Sequence, residues 1–142
     1  HGIGVHKNRK ESARYYKLAI DKGNKNALFS YALCLEEGHG VKVDKKEAAK
    51  YYKMAIDEGN KYAMNNYAIM LEKGIGVNAN QNEANRYFKM SADLGCTTAM
   101  KNYSTNLKYG QGLQKDNEEA NRYAQMASDH GNHQISACCL IM

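Results

Sequence analysis

Basic side chains recur along this 142-residue chain at a fixed interval. Arg14, Lys50, Arg86 and Arg122 stand 36 residues apart, and Lys17, Lys53 and Lys89 follow the first three at a distance of three, with Gln125 in the fourth place. Positions i and i+3 share one face of a helix, so stacked segments would align these cations as a ladder. Such a ladder could hold an acidic peptide or a row of carboxylates. It could equally be a solvated face neutralised from within. Asp21, Asp57 and Asp93 lie four residues after the three lysines, where helical ion pairs form without any partner. Glu11, Glu47, Glu83 and Glu119 lie one turn before the first column, unless capping occupies them. On the sequence alone both readings are open.

Other residue types suggest less chemistry. Asn65, Asn66, Asn85, Asn102 and Asn121 could form an exposed amide set that holds a peptide backbone, or could reflect a chain rich in asparagine. The sequon Asn102-Tyr103-Ser104 falls inside a helical stretch, a poor place for glycosylation. His130 and His133 with Cys138 have weak spacing for zinc. The G-x-G loops follow helices rather than strands and lack the G-K-[ST] of a phosphate-binding loop. No Ser-His-acid or Cys-His set can be assembled. Catalytic, cofactor and metal residues are therefore assigned to none. The candidate partner-binding residues are Arg14, Lys17, Lys50, Lys53, Arg86, Lys89 and Arg122.

The elements that must position these side chains follow from glycine. Gly2, Gly38, Gly74 and Gly110 share the 36-residue spacing, as do Gly4, Gly40, Gly76 and Gly112, and a third column is Gly23, Gly59, Gly95 and Gly131. An apolar residue follows each G-x-G: Val5, Val41, Val77 and Leu113. Asp44 with Glu47 reads as a capping box, and Asn8 with Glu11, Asn80 with Glu83 and Asp116 with Glu119 repeat it. From there Ala48, Tyr51, Tyr52 and Ala55 give a buried helical stripe that ends at Gly59. A second helix starts at once, capped by Asn60 as Asn24 and Asn132 would cap theirs, with Ala63, Tyr67, Met70 and Leu71 as its stripe and Gly74 as its end. So short a connection forces the two helices antiparallel. One hairpin cannot bury its own apolar face, whereas stacked hairpins bury a continuous seam. The small columns Ala48, Ala84, Ala120 (Ser12 in the first repeat) and Ala27, Ala63, Ala99 allow close approach, and Tyr15, Tyr51, Tyr87 and Tyr123 fill the space beside them.

Taken together these residues resemble the Sel-one-like repeat (SLR) family, relatives of the tetratricopeptide repeats. The family pattern of a G-x-G-V loop, A-x-x-Y-Y-x-x-A, glycine, then A-x-x-x-L/Y-x-x-x-L-x-x-G is met here by G-H-G-V, E-A-A-K-Y-Y-K-M-A-I-D-E-G and A-M-N-N-Y-A-I-M-L-E-K-G. Tyr51 stands where the family often has Trp, Asn66-Tyr67 replaces a leucine-glycine pair, and Ala124, Ile135 and Cys139 make the last repeat the most divergent. The resemblance implies an all-α fold, an α/α right-handed superhelix (solenoid) of tandem antiparallel helix hairpins with a 36-residue period. It also implies use as an adaptor in multiprotein complexes. Some bacterial members staple each hairpin with a disulfide between fixed columns. Cys34, Cys96, Cys138 and Cys139 form no such recurring pair, which suits a reducing, cytoplasmic setting, while endoplasmic reticulum or secretion stay open.

The expected organisation is one array of four repeats, 1–36, 37–72, 73–108 and 109–142, reading as a piece of a longer protein because it begins in an inter-repeat loop and stops in an apolar run. The net charge of +5 is mild, and no apolar run approaches the ~20 residues of a membrane span. The expected function is a non-catalytic protein-protein interaction scaffold holding a peptide or domain, acidic if the basic ladder is the site, on the concave helix surface, with no cofactor and no nucleic acid. The alternatives are a hydrolase acting on peptide-like or cell-wall compounds, as proposed for some cysteine-rich members of the family, and a weak polyanion-binding module.

Overall fold

A computed structural model describes the backbone of residues 2–133 and the side chains of residues 8–131. It contains seven α-helices and, among the described residues, no strand: α1 (Gly2–Asp21), α2 (Leu28–Glu37, entered through a 3-10 turn at Lys25–Ala27), α3 (Lys45–Asp57), α4 (Lys61–Lys73), α5 (Gln81–Asp93), α6 (Thr97–Tyr109) and α7 (Asn117–His133). Each helix packs on the ones before and after it in the chain. None of the described helices is long and apolar enough to cross a membrane.

The expected caps form at Asp44, Asn80 and Asp116, whose carboxylate or amide oxygens accept from the backbone N–H of Glu47, Glu83 and Glu119 at 3.0, 3.0 and 2.9 Å. Asn60 does the same for Tyr62 and Ala63, and Asn24 for Asn26. The helices α2, α4 and α6 end on left-handed glycines, Gly38, Gly74 and Gly110. The second glycine of the loop is required for a different reason. At Gly76 the backbone has φ +73°, and a Cβ there would lie 2.5 Å from the carbonyl oxygen of Lys45 at the start of α3. This contact seats one repeat against the one before it, with Val41, Val77 and Leu113 packed on the core beside it.

The core is one seam. Ala48, Ala84 and Ala120 are 0–2% exposed, and Ala27, Ala63 and Ala99 line the facing helices. Between them the tyrosines meet edge to face: Tyr31 with Tyr51, Tyr67 with Tyr87 and Tyr103 with Tyr123, at centroid separations of 4.9, 5.4 and 4.9 Å. Such pairs contribute about 0.5–1.5 kcal/mol beyond the area they bury.

The first and last repeats depart from the sequence expectation. Residues 2–5 are the start of α1, not a loop, so Asn8 is inside the helix and does not cap it. A glycine permits left-handed backbone without imposing it. The same helix is also turned: Ala13 is 1% exposed whereas Ser12 and Tyr15 face solvent, Tyr15 at 64%. Of the Ser12–Ala13 pair only Ala13 gains from burial, so Ala13 and Ile20 take the core side. At the other end, α7 runs through Gly131 and Asn132 instead of stopping, whereas Gly23, Gly59 and Gly95 sit in left-handed turns. The second helix of the fourth hairpin, with Ile135, Cys138 and Cys139, lies outside the described residues.

Gly59 differs from Gly76 in having nothing within 4 Å of where a methyl group would sit, so its substitution isolates the backbone cost. Gly59→Ala should lower stability by about 1–2 kcal/mol, the cost of an alanine in left-handed backbone. Gly76→Ala should cost distinctly more, because it also drives a methyl into the Lys45 carbonyl. Urea unfolding of the two variants side by side checks the ordering.

Candidate interaction surface

The two cation columns reach solvent on the odd-numbered helices, Lys17 half-buried and the other six exposed, but most are already partnered. Lys50 pairs with Glu47 at 3.3 Å, Arg86 with Glu83 at 3.3 Å and Arg122 with Glu119 at 2.6 Å. Lys17 pairs with Asp21 at 2.7 Å and Lys89 with Asp93 at 2.9 Å. Arg14 and Lys53 make no ion pair among the described residues. Arg86 and Arg122 also lie over the rings of Tyr87 and Tyr123, 4.8 and 5.2 Å from their centroids.

The glutamates are free for this because the capping box is only half made. The N-cap residues use their own backbone N–H elsewhere: Asp44 donates to Leu35 O at 2.9 Å, Asn80 to Leu71 O at 2.8 Å and Asp116 to Leu107 O at 3.0 Å. With that donor taken by the preceding helix, Glu47, Glu83 and Glu119 turn to the cation three residues on.

Lys89, Asp93 and Tyr123 join adjacent odd-numbered helices. The Tyr123 hydroxyl donates to Asp93 at 2.7 Å while Lys89 donates to the same carboxylate. Burial alone would raise the Asp93 carboxyl, but the hydrogen bonds from Tyr123 and Lys89 outweigh it and hold the group below its usual range. Burial, then Asp93 itself, pushes the Tyr123 phenol up to about 12. Two periods before Lys89, Asp21 and then Tyr51 raise the Lys17 ammonium.

The asparagines divide differently from the expected exposed set. Only Asn121 is fully exposed; Asn66 and Asn102 are half-buried, and Asn65 and Asn85 are 2% and 5% exposed. The four that are not exposed belong to two networks, each ending on a glutamate. In the first, Asn102 donates to Asn65, Asn65 to Asn66, Asn66 to the Tyr52 hydroxyl, and that hydroxyl to Glu36. Burial and then the charge of Glu36 raise the Tyr52 phenol far above its ordinary value. In the second, Asn106 donates to Glu72 at 3.1 Å and to Asn85 at 2.8 Å, Gln81 donates to Glu72 and Asn85, and Asn85 donates to the Gln111 carbonyl at 2.6 Å. Asn106, 3% exposed, is absent from the set expected from sequence. Its signal was a column: Cys34, Met70 and Asn106 are equivalent core positions, and Ala49 and Asn85 are another, so two polar residues entered the core together in one repeat.

Cys34 and Cys96 are both buried, and burial pushes the Cys34 thiol up. Among the described residues no group of three His, Cys, Asp or Glu side chains could hold a metal ion. His130 is exposed on α7, while the His133 side chain and Cys138 lie outside the described side chains. An open hollow of about 810 Å³ beside α7 is lined by Asp116, Glu118, Glu119, Asn121, Arg122 and Gln125, with no histidine, serine or cysteine.

The Sel1 repeat family model matches residues 1–24, 25–60, 61–96 and 97–132. No curated protein matches the chain. Among solved structures it is similar to a protective antigen of uropathogenic Escherichia coli strains displaying an SLR fold, at 25% identity and TM-score 0.80 over 84% of this chain and 26% of that one. It is also similar to a Sel1 repeat protein from Oxalobacter formigenes, at 26% identity and TM-score 0.81 over 92% of this chain and 55% of that one. The Helicobacter pylori cysteine rich protein B shares the fold, at 19% identity and TM-score 0.70 over the full length of both chains. This chain thus spans about a quarter and about half of the first two.

Asn85→Ala should cost about 1–3 kcal/mol, because it removes one of the two acceptors of the buried Asn106 amide and the side-chain donor to the Gln111 carbonyl. Restoring the second repeat's solution, Asn85→Ala with Asn106→Met, should recover part of that loss, a non-additivity readable by a double-mutant cycle in urea. The Asp93 group gives a pH test. Its folded pKa lies below the unfolded value of 3.8, so its contribution is present above about pH 4 and lost as the pH falls through the folded value. Asp93→Asn should therefore flatten the acid limb of the stability profile and leave its shape around neutral pH unchanged.

Proposed function

This chain belongs to the Sel1 repeat family, and on that premise we propose that it is a non-catalytic scaffold that binds a protein or peptide across its odd-numbered helices. Sel1 repeat proteins generally serve protein-protein interaction. The observation that carries the reading here is the display of side chains in unbroken rows at 36-residue intervals, Arg14, Lys50, Arg86 and Arg122 foremost, on helices fixed by a continuous core. A rigid periodic surface of this kind presents one extended site rather than a pocket.

The charge of this face narrows the partner. Its seven cations stand among eight carboxylates, Glu11, Glu47, Glu83, Glu119, Asp21, Asp57, Asp93 and Asp129. Tight binding of a polyanion draws on cations that release counterions, and these are largely neutralised already. The balance supports a protein surface that exchanges ion pairs with the existing ones, each of which is exposed and weak.

A photo-crosslinking residue placed at Lys50 or Arg86 should capture a partner in cells expressing the chain, whereas the same residue at Lys101 on α6 should not. Charge reversal at Arg14, Lys50, Arg86 and Arg122 should slow association of the captured partner more than it speeds release. Equal adducts from both faces, or none from either, would sink the assignment.

A further inference from the structure

One row on the odd-numbered helices is apolar and, in its first three members, exposed. Leu18, Met54, Met90 and Met126 repeat at 36 residues. The first three are 46%, 46% and 39% exposed, and Met126 is partly buried. Single exposed apolar residues are ordinary, but a contiguous apolar row on a solvent face marks an interaction surface. Methionine suits that use because its flexible thioether adapts to an opposing surface. Beside Met54 the surface dips into a hollow of about 250 Å³ that includes Ile20 and Leu28 in its lining, and Leu94, 52% exposed, extends the apolar character at the end of α5.

The charges on either side of the row have a fixed order. Along each helix a base precedes the apolar residue and an acid follows it: Arg14–Leu18–Asp21, Lys50–Met54–Asp57, Arg86–Met90–Asp93 and Arg122–Met126–Asp129. At the helical rise the base lies about 6 Å before the apolar side chain and the acid about 4.5 Å after it. Consider two such faces brought together by a two-fold axis. If the axis runs along the apolar row, methionine meets methionine and every base of one copy lies over an acid of the other. If the axis runs along the helices instead, base meets base and acid meets acid. The surface is self-complementary in the first arrangement and self-repelling in the second.

We propose that this row is the contact of an isologous dimer of the chain, with the two-fold axis along Leu18, Met54, Met90 and Met126. The inference rests on the odd-numbered face being an interaction surface and names its occupant as a second copy. The existing ion pairs, Lys50 with Glu47, Arg86 with Glu83 and Arg122 with Glu119 on the base side and Lys17 with Asp21 and Lys89 with Asp93 on the acid side, lie at the surface and exchange for intermolecular ones on assembly. The lysine stems then cover the edges of the apolar row.

Sedimentation and light scattering from micromolar to millimolar chain should show a concentration-dependent doubling of mass. Met54→Glu with Met90→Glu should raise the concentration of half-dissociation at least about tenfold with unchanged helical circular dichroism. Two charge variants decide the axis. Arg14→Glu/Lys50→Glu/Arg86→Glu should be monomeric alone, as should Asp21→Lys/Asp57→Lys/Asp93→Lys, and mixing them should restore a mixed dimer. A chain that stays monomeric to millimolar overturns the dimer. If the methionine variant nevertheless loses crosslinking to its partner, the interaction face stands and only its occupant is wrong. A dimer indifferent to the methionine substitutions, or two charge variants that do not rescue each other, overturns this contact.

Discussion

Three tyrosine pairs, set edge to face one period apart, hold each odd-numbered helix from α3 onward against the even-numbered helix before it. Everything displayed on the surface depends on that contact recurring without a slip. It works because the alanine columns let the helices approach and because the second loop glycine brings the chain against the start of the previous odd-numbered helix. A solenoid has only nearest-neighbour contacts, so a fault in one interface is not compensated elsewhere. The absence of any insertion across the repeats is what that constraint demands.

The same interface decides the electrostatics of the outer face. The N–H of each N-cap residue is taken by a leucine carbonyl of the preceding helix, which releases the glutamate of the capping motif to pair with the cation three residues later. A column that looks like free positive charge in one dimension is in space a row of short local pairs. Asp93 shows the next level, where a tyrosine of the following odd-numbered helix and a lysine of its own helix converge on one carboxylate. The apolar row between these charged columns then stands out, because Leu18, Met54 and Met90 stay exposed while most of the charges around them are paired.

The even-numbered helices carry the opposite design. The interior they share with α5 admits polar side chains in the third repeat, where Asn85 and Asn106 replace the alanine and methionine of the second. Each amide is satisfied by the other, by Glu72 and Gln81, or by the Gln111 carbonyl. No buried polar side-chain atom among the described residues lacks a partner. A low-dielectric interior makes such a network costly to leave half made, so the two asparagines must change together.

The period, the caps and loop glycines of the inner repeats, the alanine columns and the antiparallel hairpins were legible in the sequence, because each arises from interactions within a few residues or from exact repetition. The family followed from those same columns. What the sequence could not decide were contacts across helices and effects of the ends. It could not say which asparagines are buried, since that depends on which neighbour supplies an acceptor. Nor could it say whether the glutamates cap or pair, since that depends on a carbonyl of the preceding helix. The terminal helices depart from the other repeats as well: α1 turns Tyr15 outward and α7 runs through Gly131, although both carry the same local signals. Local chemistry set the repeat unit; packing between units decided which of its side chains remain for a partner.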